Sequence, residues 1–200
     1  MSVRMISKTL NRRVSVERIL RERTDALVVT GLGSPTYDVA AAGDTPLNFY
    51  LWGGMGGTAM VGLGLALAQP KRRVLVVTGD GEMLMGLGSL ATIACEKPAN
   101  LAIVVLDNGY YGETGMQATH TGRGVDLAGI ARAAGFVEAV TVCTEQEVDS
   151  LSSKLFEGQG PLFAVLKIST DPVPASLPPR DGPYLRSRFR EALLGPAAHR

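Results

Sequence analysis

The stretch from Arg73 to Gly115 constrains this chain more than any other. Val74 to Val77 is a continuous run of β-branched residues and leucine, the pattern of a parallel strand buried on both faces, and it stops at Gly79-Asp80-Gly81. A second such run, Leu101 to Leu106, ends at Asp107-Asn108-Gly109. Between them residues 83 to 95 are helix formers. Apolar residues at Met83, Leu87, Leu90, Ile93 and Ala94 give that helix one core-facing stripe.

Strand, glycine turn, helix and strand in this order make a right-handed βαβ unit. Its two strands point the same way, so Asp80 and Asn108 come to the same carboxyl-terminal edge of a sheet. Neighbouring strands lie about 5 Å apart, and both side chains then reach one cation. A carboxylate plus an amide oxygen is a hard-oxygen set that suits Mg²⁺, with phosphate oxygens completing the shell. Gly79 and Gly81 let backbone approach a ligand, and the helix after them offers unpaired N–H groups to an anion. These residues read as a site for Mg²⁺ and a diphosphate; the plain alternative is a turn that uses Asp and Gly for backbone reasons alone.

GDG followed about 25 residues later by an Asn-containing pair resembles the signature of thiamine diphosphate (ThDP) enzymes. The resemblance covers roughly residues 15 to 170. It matches the domain that grips the cofactor's diphosphate half, an α/β fold of three layers, α/β/α, around a parallel sheet. Asp107 departs from the family's first Asn; the second, Asn108, is the one that binds metal in the pattern. The resemblance implies Asp80, Asn108 and the backbone carbonyl of Tyr110 as Mg²⁺ ligands, with Gly79, Gly81 and Glu82 of the same turn at the cofactor.

Two other segments carry the resemblance further. Asn48 to Trp52 reads as a short strand that opens into Gly53-Gly54-Met55-Gly56-Gly57 and a small-residue helix, Thr58 to Ala68. In the family such a segment carries the aminopyrimidine, so Gly53 would offer its carbonyl to the exocyclic amine and Met55 would support the bend of the cofactor. Ala26 to Thr30 reads as a buried strand ending in a glycine-rich turn that can face a phosphate, and Gly31 and Ser34 are carried over as cofactor contacts.

Gly109 to Gly124 is a glycine- and threonine-rich loop too long for a simple connection, and it hangs from the metal-binding edge. Its YGETGMQ resembles segments of the β subunit of sulfopyruvate decarboxylase and of phosphonopyruvate decarboxylase-like proteins, whose substrates are small 2-oxo acids with a second anionic group. This implies Glu113 and His120 as catalytic acid or base, and Thr114, Gln117 and Arg123 as substrate contacts. No second domain that would hold the other half of ThDP is legible here. The expectation is therefore a separate pyrimidine-binding α subunit that supplies the activating glutamate, in a hetero-oligomer of α2β2 form or larger. That complex would be a cytoplasmic carboxy-lyase giving an aldehyde and CO₂.

Other readings stay open at this level. Carboligation of the acetolactate synthase kind uses the same site, and a subunit with a vestigial pocket would keep the same motifs. Gly54-Met55-Gly56-Gly57-Thr58-Ala59 fits G-x-G-x-x-A between a strand and a helix, so a nicotinamide-binding oxidoreductase competes.

The rest of the chain sets the bounds. Charged residues at 20 %, hydrophobic residues at 46 % and a net charge of +1 are those of a soluble globular domain and give no reason to expect nucleic acid. Asn48 to Ala68 is uncharged, but its glycines and its place before a buried strand argue against a membrane span. Residues 1–24 read as a basic amphipathic helix with Ile6, Leu10, Val14 and Val16 on an apolar side that runs on through Ile19 and Leu20, rather than as a transit peptide. Residues 25–169 form the cofactor domain, and 170–200 a proline-rich arm with a short basic helix from about Tyr184 to Leu194. Within the domain, a helix is expected at Asp126–Ala134, a strand at Val137–Val142, a helix at Thr144–Phe156 with a Thr144/Glu147 capping box, and a strand at Pro161–Ile168. Cys95 and Cys143 read as buried free thiols in a reducing compartment.

Overall fold

The computed structural model describes residues 9–199. In chain order the elements are α1 (Arg12–Arg21), β1 (Leu27–Thr30), α2 (Ser34–Ala42), β2 (Asn48–Tyr50), α3 (Thr58–Ala68), β3 (Val74–Gly79), α4 (Asp80–Met85) and α5 (Ser89–Glu96). They continue with β4 (Leu101–Asp107), β5 (Tyr110–Tyr111), β6 (Gln117–Ala118), α6 (Leu127–Ala134), β7 (Glu138–Val142), α7 (Glu145–Glu157), β8 (Leu162–Lys167) and α8 (Gly182–Leu194).

Six of the strands form one parallel sheet in the order β2-β1-β3-β4-β8-β7. Alternation along the central strands feeds two cores. Leu27, Val29, Val76, Ile103, Val105 and Phe163 pack under α3, α5 and α6; Val28, Leu75, Val77, Val104 and Ala164 pack under α1, α2 and α7. Both faces of β3 and β4 are thus sealed, which is why these strands read as unbroken apolar runs. The expected three-layer α/β/α architecture is the observed one.

Several expectations need correction. The single helix expected over 83–95 is two, broken at Gly86–Gly88. Gly86 lies against the backbone of Gly56 so closely that a side chain there would overlap the Gly56 carbonyl, and the helix turns aside at that contact. In α1 Val16 and Ile19 are buried as expected, but Val14 is exposed. Leu10 lies before the helix, where it makes a parallel bridge to Ile168; Ile6 falls outside the described residues. Cys95 is exposed and Cys143 partly so, because Cys95 shares the solvent side of α5 with Ala91 and Thr92, opposite Leu90, Ile93 and Ala94. Val137 is almost wholly exposed and precedes β7. The capping box of α7 is present as expected, with Thr144 accepting from Glu147 N–H and the Glu147 side chain accepting from Thr144 N–H.

The proline-rich segment after β8 is strapped across the first layer. Arg12 and Arg13 donate to the carbonyls of Val173 and Pro174, both arginines pair with the buried Asp38, and Trp52 Nε1 donates to Pro179 O at 2.9 Å. The chain then enters α8, whose Phe189 meets Phe49 of β2 with ring centroids 5.5 Å apart. No helix among the described residues is long and apolar enough to cross a membrane.

The Gly56–Gly86 contact generates a prediction. Gly86→Ala should lower unfolding stability by about 1–3 kcal/mol through overpacking, despite alanine's better helix propensity. Urea unfolding with an unchanged m-value measures it, and an unchanged or raised midpoint would contradict the contact.

Candidate active site

The chain runs from β1 outward to β2 and then returns to the other side of β1 for β3, so strand order reverses between β1 and β3. Ligands of open α/β sheets bind at the carboxyl ends of strands beside such a switch point. A cavity of about 310 Å³ opens there, lined by Leu32, Ser34, Pro35, Met55, Gly79, Asp80, Gly81, Glu82, Met85, Leu106, Asn108, Tyr110, Tyr111, Gly112, Glu113, Thr114 and Ile168.

The β3–β4 ladder runs in register from Val74↔Leu101 to Gly79↔Leu106, which sets Asp80 and Asp107-Asn108 side by side. Asp80 is 2 % exposed. Its Oδ2 accepts the hydroxyls of Thr119, at 2.6 Å, and Thr121, at 2.9 Å. Thr121 Oγ1 also lies 2.7 Å from Asp107 Oδ1, so its one hydroxyl hydrogen is shared between the two aspartates, and Asp107 pairs with Lys167. Asp80 has no cationic partner among the described residues. Burial raises its pKa and the neighbouring Asp107 raises it further, against the two threonine hydrogen bonds, which lower it. A carboxyl in that state is favoured in its neutral form, and a cation placed beside it would draw it back to the ionised one. The partly exposed Asn108 contributes Oδ1, which accepts Tyr110 N–H at 2.9 Å and keeps lone-pair capacity for a metal. Gly79 faces open space, so backbone borders the cavity without a side chain in the way. The residues present therefore fit Mg²⁺ carrying a diphosphate.

The loop after Asn108 is more ordered than its composition promises. It forms the antiparallel pair β5–β6 and a 3₁₀ turn over Thr121–Arg123, closed by Thr119 N–H to Gly109 O at 2.9 Å. The hairpin leans on both glycine turns. The Tyr111 ring covers Gly81, and a methyl on Gly33 would come within 2.8 Å of Glu113 Oε1. Glu113 and Thr114 thus line the cavity, while Gln117, His120 and Arg123 are exposed and stand outside its lining. Gln117 is tied to Thr114 through its amide. Gly31 and Gly53 also stand outside the lining; Gly31 lies beneath the Glu82 carboxylate.

Thr119, Thr121 and Lys167, which hold the two aspartates, were not singled out by sequence reasoning. The Thr-x-Thr spacing in a loop hung from the carboxylate edge is the one signal that pointed to the threonines. The dinucleotide reading fails on topology. The glycine loop before α3 follows the edge strand β2, and β1 separates β2 from β3, so Asp80 does not end the neighbouring strand as a ribose-binding acid would.

A doubly wound α/β domain with a cavity at its switch point defines the class of fold. The chain belongs to the thiamine pyrophosphate enzyme family: residues 32–166 match the family's C-terminal TPP binding domain. It is 45 % identical over 127 residues to the sulfopyruvate decarboxylase subunit beta of Methanothermobacter thermautotrophicus, covering 64 % of this chain and 68 % of that one. It is 40 % identical over 189 residues to the phosphonopyruvate decarboxylase of Streptomyces viridochromogenes, covering 92 % of this chain and 46 % of that one. Among solved structures, benzoylformate decarboxylase from Polynucleobacter necessarius superposes with a TM-score of 0.70 at 18 % identity, over 82 % of this chain and 34 % of that chain.

The state of Asp80 generates a prediction with an unusual sign. Since burial raises its pKa, folding favours the protonated form, and the metal-free protein loses stability as pH rises from the unfolded carboxylate's value through the folded one. Asp80→Asn should therefore raise the melting temperature of the metal-free protein at pH 7, by about 2–4 °C for each kcal/mol recovered. The gain should vanish in acid. Differential scanning calorimetry across pH checks this; a lower melting temperature at pH 7 would contradict it.

Proposed function

We propose that this chain is the diphosphate-binding subunit of a two-subunit, ThDP- and Mg²⁺-dependent decarboxylase. Its substrate is a small 2-oxo acid with a second anionic group, of the sulfopyruvate or phosphonopyruvate kind, and its products are an aldehyde and CO₂. The observation that carries the reading is Asp80, a buried carboxyl with no cationic side chain paired to it among the described residues, set by the β3–β4 register beside Asn108 at the switch point.

In this reading Asp80, Asn108 and the backbone carbonyl of Tyr110 hold Mg²⁺, and Gly79 and Gly81 admit the diphosphate, with Gly31 and Ser34 on the facing turn. Gly53 and the exposed Met55 orient the ring end. When bound, ThDP supplies the electron sink for loss of CO₂. The chain adds a lining of low polarity from Leu32, Met55, Met85, Leu106 and Ile168, which favours a step that neutralises charge. Glu113 sits at the cavity wall where its carboxyl can hand a proton to the carbon that CO₂ leaves. Thr114 faces the substrate from the same wall. Gln117, His120 and Arg123, on the outer part of the hairpin loop, meet the substrate's distal anion from a surface completed by the partner.

A partner subunit is supported by two features. The relatives matched over about two-thirds of their length are named as beta subunits, while the phosphonopyruvate decarboxylase of Streptomyces viridochromogenes is matched over 46 % of its length. In addition, the solvent side of α3 carries only Met60, Val61, Gly64, Leu67 and Ala68, an uncovered apolar face of the kind that marks an interface. That partner supplies the glutamate that activates the aminopyrimidine. Two unpaired cysteines suit a cytoplasmic setting.

The test is a tagged pull-down from the source organism in Mg²⁺ buffer, followed by assay of 2-oxo acids with the complex recovered. The expected result is a second subunit, bound ThDP, and CO₂ release that falls at least about 100-fold in Asn108→Ala, the scale of a misplaced reacting group. Recovery of the chain alone without ThDP, or of a carboligation product without aldehyde, would overturn the reading.

A further inference from the structure

Glu82 is 5 % exposed and lies between three turns. Its Oε1 accepts the hydroxyl of Thr58, the first residue of α3, and its Oε2 accepts Thr78 Oγ1 from the end of β3 at 2.8 Å. The same carboxylate rests on Gly31, where any side chain would overlap Oε2. No cationic side chain pairs with it among the described residues. One side chain thus touches the turn after β1, the end of the Gly53–Gly57 loop, and the strand that delivers Asp80.

We infer that Glu82 is a positioning residue that fixes the distance between the metal-binding turn and the loop carrying Met55, and so sets the cofactor's bend. This rests on the ThDP reading and deepens it. Glu82 borders the cavity, but both its oxygens already accept hydroxyls from the protein and a carboxylate would repel a diphosphate, so its role is to hold the turns together rather than to bind the diphosphate. Its reach fits the alternative. Asp80 begins α4, and Glu82 lies on the same first turn, so a tie from Glu82 to Thr58 links the two ends of the ligand site through a single helical turn. The Gly56–Gly86 backbone contact pins the same loop at the far end of α4. With both ties in place the Met55 loop has a fixed height above Asp80, which is the geometry that a two-ended ligand needs and a one-ended ligand does not.

That difference supplies the test. Calorimetric titration at saturating Mg²⁺ compares ThDP, which occupies both ends, with inorganic pyrophosphate, which occupies only the metal end. The full chain is used together with its co-purifying partner. Glu82→Ala should weaken ThDP binding about tenfold or more while pyrophosphate stays within about twofold, as expected for misplacement of one end of the site. Glu82→Gln, which can still bridge both threonines, should restore ThDP affinity. If Glu82→Ala fails to fold, Thr58→Val, which keeps Glu82 and Thr78, should show the same split. Equal losses for both ligands would mean direct contact or general disruption and would overturn the inference, as would unchanged ThDP affinity. If the wild-type complex binds pyrophosphate but not ThDP, the ThDP reading itself falls and the inference with it.

Discussion

The parallel ladder between β3 and β4 is the constraint on which the rest of the site depends. Its in-register pairing, with Gly79 opposite Leu106, brings an aspartate and an asparagine from distant parts of the chain to one edge. Because both strands are sealed on two faces by helices, the ladder cannot slip without turning its apolar residues out of both cores. The energy that fixes this register comes from the hydrophobic layers. The polar geometry at the sheet's edge follows from it, down to the buried Asp80 and its two threonine hydrogen bonds.

Around that edge the loops are held by contacts that only glycine permits. Gly56 meets Gly86, Gly31 lies under Glu82, Gly81 lies under Tyr111, and Gly122 meets Gly109. Each removes a side chain so that another segment can approach within van der Waals distance, and together they give the cavity walls of irregular backbone. The threonines do the complementary polar work. Thr119 and Thr121 hold Asp80, Thr58 and Thr78 hold Glu82, and these two buried carboxyls keep hydrogen bonds without a cationic side-chain partner among the described residues.

Much of this was legible in the sequence because burial on both sides writes a strong pattern. The runs 74–77 and 101–106, with GDG and DN at their ends, fixed the strand directions, their shared edge and the places of Asp80 and Asn108 on it in one step. What was not legible is what periodicity does not encode. The break in the helix at Gly86 follows from a tertiary contact with Gly56, a residue 30 positions earlier. On α1 the sequence pattern placed Val16 and Ile19 correctly and Val14 wrongly, because Val14 and Val16 are equally apolar and only packing against α2 and α7 chooses between them. The cysteines were misread because a small apolar thiol is compatible with either side of a short helix. The hairpin hidden in the Gly109–Gly124 loop escaped since its strands are only two residues long, too short for any alternation.

The most direct test of the central claim is crystallographic. Crystals grown with Mn²⁺ in place of Mg²⁺ and with ThDP, recorded at the manganese edge, locate the metal by its anomalous signal. The account predicts one peak in coordination contact with Asp80 and Asn108 and with oxygens of the diphosphate, at the carboxyl ends of β3 and β4. A metal bound elsewhere, or a cofactor whose diphosphate lies away from Asp80, would contradict it.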